Sequence, residues 1–260
     1  MSTALDPTAI ALARLYDVDL LEDPGDVELY LALAARADGR ILELGVGSGR
    51  LAVPLAAAGW AVTGIDLDPA MLARARARAV AAGPETAARV ELIEGDARRL
   101  DLADRFRLAF VPLNSLLLFG DRAGQAAAIQ TMADHLEPGG IGVIDVWLPD
   151  ADDLARYDGR VILEYSHADP ETGMTLVKTG AAFHDAATQS IELTTIYEEG
   201  GQGEPPVRWL RSDRIRLAGA DALRAAAEAA GLVVEVIAGG YDLEPIGPGA
   251  DRAVLVAVRP

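Results

Sequence analysis

The stretch Ile41-Leu42-Glu43-Leu44-Gly45-Val46-Gly47-Ser48-Gly49-Arg50 constrains this chain more than any other. An apolar run of strand type passes into three alternating glycines and then into a segment of helical type. Glycine accepts backbone conformations in which a β-carbon would clash, and it bares amides toward a ligand lying across the N-terminus of the following helix. A tight structural turn and a nucleotide site both satisfy this pattern. The spacing separates the nucleotides: dinucleotide folds use G-x-G-x-x-G, whose third glycine packs helix on strand beneath a pyrophosphate. Here that position is Arg50, the glycines stand at 45, 47 and 49, and Glu43 precedes them. A carboxylate repels a pyrophosphate and attracts a cationic ligand.

Around this loop the patterning has two tempos. From about Asp26 to Trp147, short apolar runs at 40–44, 61–66, 90–94, 108–111 and 141–146 alternate with helical stretches at 49–58, 69–82 and 123–136. That alternation predicts a parallel α/β sheet, with Gly59, Gly83 and Pro138-Gly139-Gly140 stopping the helices. Beyond Tyr157 the period becomes two, predicting antiparallel strands at 174–184, 190–198 and 207–217, a hairpin turn at 185–188 and a flexible loop at 200–206. The α/β rhythm then resumes with a helix at 220–230, a strand at 232–237, a loop holding Tyr241 and Pro248, and a strand at 253–258.

Composition narrows the function. The 260 residues are 51% hydrophobic, which excludes a wholly disordered chain and allows one large domain or one with an insertion. The absence of cysteine removes disulfide frameworks, thiolate zinc sites and cysteine nucleophiles. With 23 Lys+Arg against 40 Asp+Glu, a net charge of −17 and Lys178 as the only lysine, the chain is repelled by polyanions, although Arg74, Arg76 and Arg78 could form a local basic patch. No nucleic-acid partner is expected. Residues 1–10 lack the basic and apolar regions of a signal peptide, and no apolar run approaches the ~20 residues of a membrane span, so a cytoplasmic location without membrane association is expected.

At Glu43-Leu44-Gly45-Val46-Gly47-Ser48-Gly49 the sequence resembles the class I S-adenosylmethionine-dependent methyltransferases of the bacterial small-molecule type, whose first motif is an acidic residue followed by L-G-x-G-x-G. The resemblance covers roughly Tyr16 to Trp147 and the terminal helix–strand–strand segment. It implies a doubly wound, mostly parallel seven-stranded Rossmann-like sheet with an inserted antiparallel β lid over the substrate site. The corresponding organisation is a helical cap at 1–36, a cofactor-binding α/β domain at 37–156 and 219–260, and the insertion at 157–218.

The implied cofactor is S-adenosyl-L-methionine, with S-adenosyl-L-homocysteine as product and no metal. Asp66 lies 21 residues beyond Gly45. The family gives the first acid after the second strand to the ribose hydroxyls, whereas an N-cap is the plainer role for an aspartate before a helix and suits Asp68. Asp96 and Ala97 follow the third strand, where the family recognises adenine. Leu113 and Asn114 follow the fourth, at a motif touching cofactor and substrate, although Asn114 also suits a helix N-cap. Leu67, Met71 and the upstream Tyr16 and Tyr30 complete the implied cofactor contacts, the tyrosines with core packing as their alternative.

The resemblance implies methyl transfer by in-line displacement to an O or N atom of a small-molecule acceptor. Asn114, Phe119, Trp147 and Tyr241 are candidates for the acceptor wall. Of the three histidines, His135 reads as a helix-end residue favoured by the helix dipole, leaving His167 and His184 as candidate bases. The alternatives are an NAD-dependent oxidoreductase, disfavoured by Arg50, and a catalytically idle module that binds the methyl donor or its product.

Overall fold

The computed structural model describes residues 5–22, 24–201, 203 and 205–260. Residues 1–4 of the expected leaderless start, and Gln202 and Glu204 of the 200–206 loop, lie outside the described residues. The chain divides into two compact units, Asp23–Leu148 with Ala218–Pro260, and Met1–Glu22 with Pro149–Leu217. Its strands are β1 (Ile41–Leu44), β2 (Val62–Asp66), β3 (Val90–Glu94), β4 (Phe106–Val111), β5 (Leu136–Trp147) and β6 (Asp158–Ala168). These are followed by β7 (Thr175–Asp185), β8 (Ser190–Gly200), β9 (Val207–Arg216), β10 (Val233–Ala238) and β11 (Arg252–Val258). The helices are α1 (Pro7–Asp19), α2 (Val27–Ala37), α3 (Ala52–Ala57), α4 (Pro69–Ala81), α5 (Pro84–Arg89), α6 (Arg122–His135), α7 (Ala151–Arg156) and α8 (Ala220–Ala229).

The larger unit is a seven-stranded sheet in the order β10-β11-β5-β4-β1-β2-β3. From β3 to β5 every neighbouring pair is parallel, and β11 alone runs antiparallel, to both β5 and β10. The expected doubly wound, mostly parallel sheet is therefore present. Strand β1 is buried throughout, as expected of a central strand covered on both faces. Strand order reverses where β1 lies between β2 and β4, and the carboxyl ends of strands at such a switch point are where open α/β sheets bind ligands.

Close packing explains one glycine inside β2. A β-carbon on Gly64 would stand 2.6 Å from Val46 Cγ2 and 2.9 Å from Val46 Cβ, so the glycine loop after β1 rests on a strand with no side chain beneath it. The principal core includes Tyr30 and Leu33 of α2, Leu51, Leu55, Leu72 and Phe110.

The smaller unit is an antiparallel sheet of four strands in the order β6-β7-β8-β9. Helix α1 starts at Pro7 with the Asp6 side chain accepting from the Thr8 N–H, and it buries Leu15 and Val18 with Leu176 and Tyr197. Two polar clamps accompany that apolar contact. Arg14 donates to the buried Asp169 and Glu199 carboxylates. Asp19 accepts from the Tyr165 and Tyr197 hydroxyls and from Lys178, which also pairs with Glu164. Burial, and then the neighbouring Asp19, push both phenols well above their ordinary range.

Three local expectations change. The helix after the glycine loop begins at Ala52, later than expected, because the chain turns through Gly49 first. The Pro138-Gly139-Gly140 group lies within β5, where pairing shifts from Phe106↔Leu136 to Leu108↔Ile141 and Gly139 takes φ +74°, so it makes a bulge while α6 already ends at His135. Strand β6, exposed along most of its length, adds a fourth strand to the insertion. Alternation arises from one buried face; this strand lacks one over most of its run.

Gly64→Ala is expected to destabilise the protein by about 1–3 kcal/mol, and Val46→Ala in the same chain to recover part of that loss, because the overpacking is specific to this pair. Urea unfolding of the single and double variants measures both; additive losses would refute the contact.

Candidate active site

The glycine loop is built by hydrogen bonds to the end of β2. The Gly45 and Val46 N–H groups donate to the Ile65 carbonyl at 2.8 and 2.9 Å, and the Gly47 N–H donates to Asp66 Oδ2 at 2.8 Å. Gly45, Gly47 and Gly49 have φ of +81°, +53° and +79°, the left-handed region that disfavours side chains. A β-carbon at Gly49 would also lie 3.1 Å from the β-carbon of Ala75 on α4. Gly49 thus provides a close helix contact in a loop whose next residue, Arg50, forks onto the fully buried Asp26 at 2.6 and 2.7 Å.

Asp66 and Asp68 have different jobs. Asp68 Oδ1 accepts from the Ala70 N–H and caps α4, whereas Asp66 Oδ1 accepts from the Asp68 N–H and Oδ2 from Gly47. Burial raises the Asp66 carboxyl, opposed by those backbone donors. The N-cap alternative therefore belongs to Asp68, and Asp66 faces the glycine loop. Beside it Leu67 is well exposed, while Met71 is buried.

Glu43 is more unusual. It is only 2% exposed, and its Oε2 has no hydrogen-bond partner among the described residues. Burial holds its carboxyl well above the usual range; Arg50 opposes the shift, and Asp26 and Asp66 add to it. A buried acceptor left open is costly, and this one lies on the strand that leads into the glycine loop.

Hydrogen bonds link the neighbouring strand ends. Gly95 N–H donates to the Asp66 carbonyl, bringing the Asp96-Ala97 turn alongside β2. Asp96 is gripped by Arg98 through two side-chain bonds of 2.9 Å and by Arg99 at 3.1 Å; the Arg98 bonds foremost lower its pKa to about 2. Ala97 is buried. On the other flank, a β-carbon on Gly45 would stand 3.1 Å from Ser115 Cβ, so the loop after β4 adjoins the glycine loop.

In that loop Leu113 and Asn114 have φ of +40° and +68°. Asn114 precedes the short 3-10 turn Ser115–Leu118 without a side-chain cap bond; its Oδ1 accepts from the Trp147 N–H instead. The N-cap alternative for Asn114 is thus replaced by a bond to the end of β5. Phe119 and Trp147 are partly exposed, and the Tyr241 hydroxyl donates to Asp145.

Other candidates have different surroundings. Tyr30 is fully buried with its ring centroid 4.5 Å from that of Phe110, and its hydroxyl has no hydrogen-bond partner among the described residues. Tyr16, His167 and His184 belong to the smaller unit. His167 stacks on Tyr165 with ring centroids 4.5 Å apart, and the buried His184 Nε2 has no hydrogen-bond partner among the described residues. His135 is a core residue: Nδ1 donates to the Thr131 carbonyl and Nε2 accepts from the Leu102 N–H, which makes it a neutral tautomer held by two bonds, correcting the dipole explanation. The sequence reading passed over Asp26, Asp145 and Arg252. The available signal was an acid inside an apolar run, Ile144-Asp145-Val146, since a buried charge demands a partner.

Comparisons agree with this geometry. A family model described as a methyltransferase domain matches residues 41–140, from β1 through the bulge in β5. The structure of the CcbJ methyltransferase from Streptomyces caelestis is similar at 27% identity with a TM-score of 0.77, covering 90% of this chain and 89% of that one. The dTDP-3-amino-3,6-dideoxy-alpha-D-glucopyranose N,N-dimethyltransferase of Streptomyces fradiae is 26% identical over 88% of this chain and 86% of its own length. The carboxy-S-adenosyl-L-methionine synthase of Chromohalobacter salexigens is 35% identical over 46% of this chain; there the match spans only 45% of the relative's length.

Fold and strand-end loops together define a class I Rossmann-like methyltransferase architecture. The chain carries a methyltransferase domain of the S-adenosylmethionine-dependent type found in bacterial small-molecule methyltransferases.

The state of Glu43 gives a pH prediction. A carboxyl whose folded pKa is raised stabilises the fold fully below its unfolded value of about 4.3, and that contribution is lost as pH rises through the raised value. The melting temperature of Glu43→Gln relative to wild type is expected to shift in favour of the variant as pH rises above about 4.3. A difference that stays constant across that range would show that Glu43 is not the titrating group.

Proposed function

We propose that this protein transfers a methyl group from S-adenosylmethionine to a nitrogen or oxygen of a small-molecule acceptor, with an amino group on a sugar as the favoured acceptor class. The observation that carries the reading is the buried, half-satisfied Glu43 carboxylate behind a left-handed glycine loop that Asp66 holds in place. The amine preference draws on the aminosugar relative from Streptomyces fradiae. A cytoplasmic location and the lack of a nucleic-acid partner belong to the same proposal, supported by the cysteine-free composition and the net charge of −17. No helix among the described residues is long and apolar enough to cross a membrane.

The residues present suit the cofactor's chemistry. A cation bound beside Glu43 would draw its carboxyl, raised by burial, back to the charged form, and its open oxygen gives a donor somewhere to bind. Each Asp66 oxygen already accepts one backbone bond and has capacity for a ribose hydroxyl. Leu67 presents an exposed apolar side chain beside Asp66 for one face of a purine, and the turn at Asp96-Ala97 supplies polar groups for its edge. When bound, S-adenosylmethionine would supply an electrophilic methyl group on a positively charged sulfur.

The protein's remaining work is alignment. Holding an acceptor lone pair in line with that methyl is worth about 7–11 kcal/mol through orientation. Asn114, with its oxygen committed to Trp147, has its amide NH2 available to orient an acceptor. Phe119 and Trp147, both partly exposed, supply apolar surface. An acceptor ammonium would first release its proton to solvent to free the lone pair, a neutral amine would attack directly, and the methylated ammonium would release its proton to solvent afterwards, so little covalent help is required.

Calorimetry with S-adenosylhomocysteine is expected to show one site per chain, weakened at least about tenfold by Asp66→Ala. Incubation with S-adenosylmethionine and dTDP-3-amino-3,6-dideoxyglucose is expected to yield a methylated sugar by mass spectrometry. Absence of S-adenosylhomocysteine binding would refute the methyltransferase reading. Binding without methylation of this sugar, alongside methylation of other amines or phenols, would refute only the aminosugar preference; no methylation of any would favour an idle binding module.

A further inference from the structure

We infer that Asp145, with Arg252 and Tyr241, is a positioning device for Asn114, making the end of the chain part of the apparatus that orients the acceptor; the inference rests on the methyltransferase reading. Asp145 lies near the end of β5 and is fully buried. Its Oδ1 pairs with Arg252 of β11, and its Oδ2 accepts from the Tyr241 hydroxyl at 3.0 Å and from the Leu113 N–H at 3.2 Å. The Arg252 guanidinium also lies 4.8 Å from the centre of the Tyr241 ring, so the two anchors hold each other as well as the carboxylate.

These bonds meet a strained backbone. Leu113 and Asn114 are consecutive non-glycine residues at positive φ, an arrangement that persists only when its surroundings over-determine it. Asp145 contributes twice: its carboxylate takes the Leu113 N–H, and its main-chain carbonyl takes the Asn114 N–H at 3.0 Å. The Trp147 N–H, two residues further along β5, then fixes the Asn114 side-chain oxygen. The orientation of the Asn114 amide thus follows from three contacts to one strand end, which is itself pinned by β11 and the loop after β10. Burying a carboxylate and a guanidinium is costly; here the buried pair secures a conformation that the local sequence does not favour.

Asn114 is the chain's single asparagine, which makes the inference directly testable. Full-length protein labelled with nitrogen-15 asparagine gives one backbone amide signal and one side-chain amide pair. In Asp145→Ala and, more mildly, in Tyr241→Phe, both sets are expected to move, in the free protein and with S-adenosylhomocysteine present. Affinity for S-adenosylhomocysteine is expected to stay within about twofold of wild type, while turnover with a methylated acceptor from the preceding screen falls about tenfold or more at unchanged KM for S-adenosylmethionine. Arg252→Lys, which keeps a cation, should fall between wild type and Asp145→Ala. Unmoved Asn114 signals overturn the inference, as does loss of S-adenosylhomocysteine affinity in step with turnover, which would mark the network as structural only. Should Asp145→Ala fail to fold, Tyr241→Phe decides, because it removes one hydroxyl. Failure of the wild type to bind S-adenosylhomocysteine would sink the methyltransferase reading instead, and the signals of the free protein would still judge the positioning.

Discussion

The bond from the Gly47 N–H to the Asp66 carboxylate ties the loop after β1 to the end of β2, and the geometry of the candidate site depends on it. Three left-handed glycines give the loop freedom to take many shapes; the Asp66 carboxylate and the Ile65 carbonyl select one. Gly64 lets Val46 settle onto β2, and Gly49 lets the loop approach α4. The same region that places a carboxylate at the switch point also removes the side chains that would block close approach.

Charge burial in the larger unit follows a consistent division. Asp26 and Asp145 are fully buried and paired with Arg50 and Arg252, so their desolvation is compensated. Glu43 is buried almost as deeply with one oxygen open. Compensated charges hold backbone in place, and a buried carboxyl with an open oxygen beside the glycine loop is a place for a cation, which would draw it to its charged form. That contrast distinguishes supporting residues from the candidate ligand-binding residue.

Much of the α/β sheet was readable from the chain because central parallel strands are mostly apolar and their helices end at glycine, as at Gly59 and Gly83. Strand β6 was not, since residues exposed on both faces carry no alternation. The site divided in the same way. Glu43, the glycines and Asp66 belong to local motifs with fixed spacing, whereas Asp145 acquires its meaning from Arg252, a partner 107 residues away. Tyr30 shows the limit of residue type as a guide: an aromatic ring on a helix suits a ligand or a core, and packing on Phe110 assigned it to the core.

By itself, the sequence determined the fold class, the glycine loop and the order of acids along strand ends, because each is encoded by neighbours within a few residues. Only the tertiary structure decided which acid caps a helix, which holds the loop and which is left half-satisfied, and that Asn114 turns its oxygen toward Trp147. Those outcomes depend on burial and on hydrogen bonds between segments far apart in the chain. Both are properties of the packed sheet, set when β1, β4 and β5 come to lie side by side.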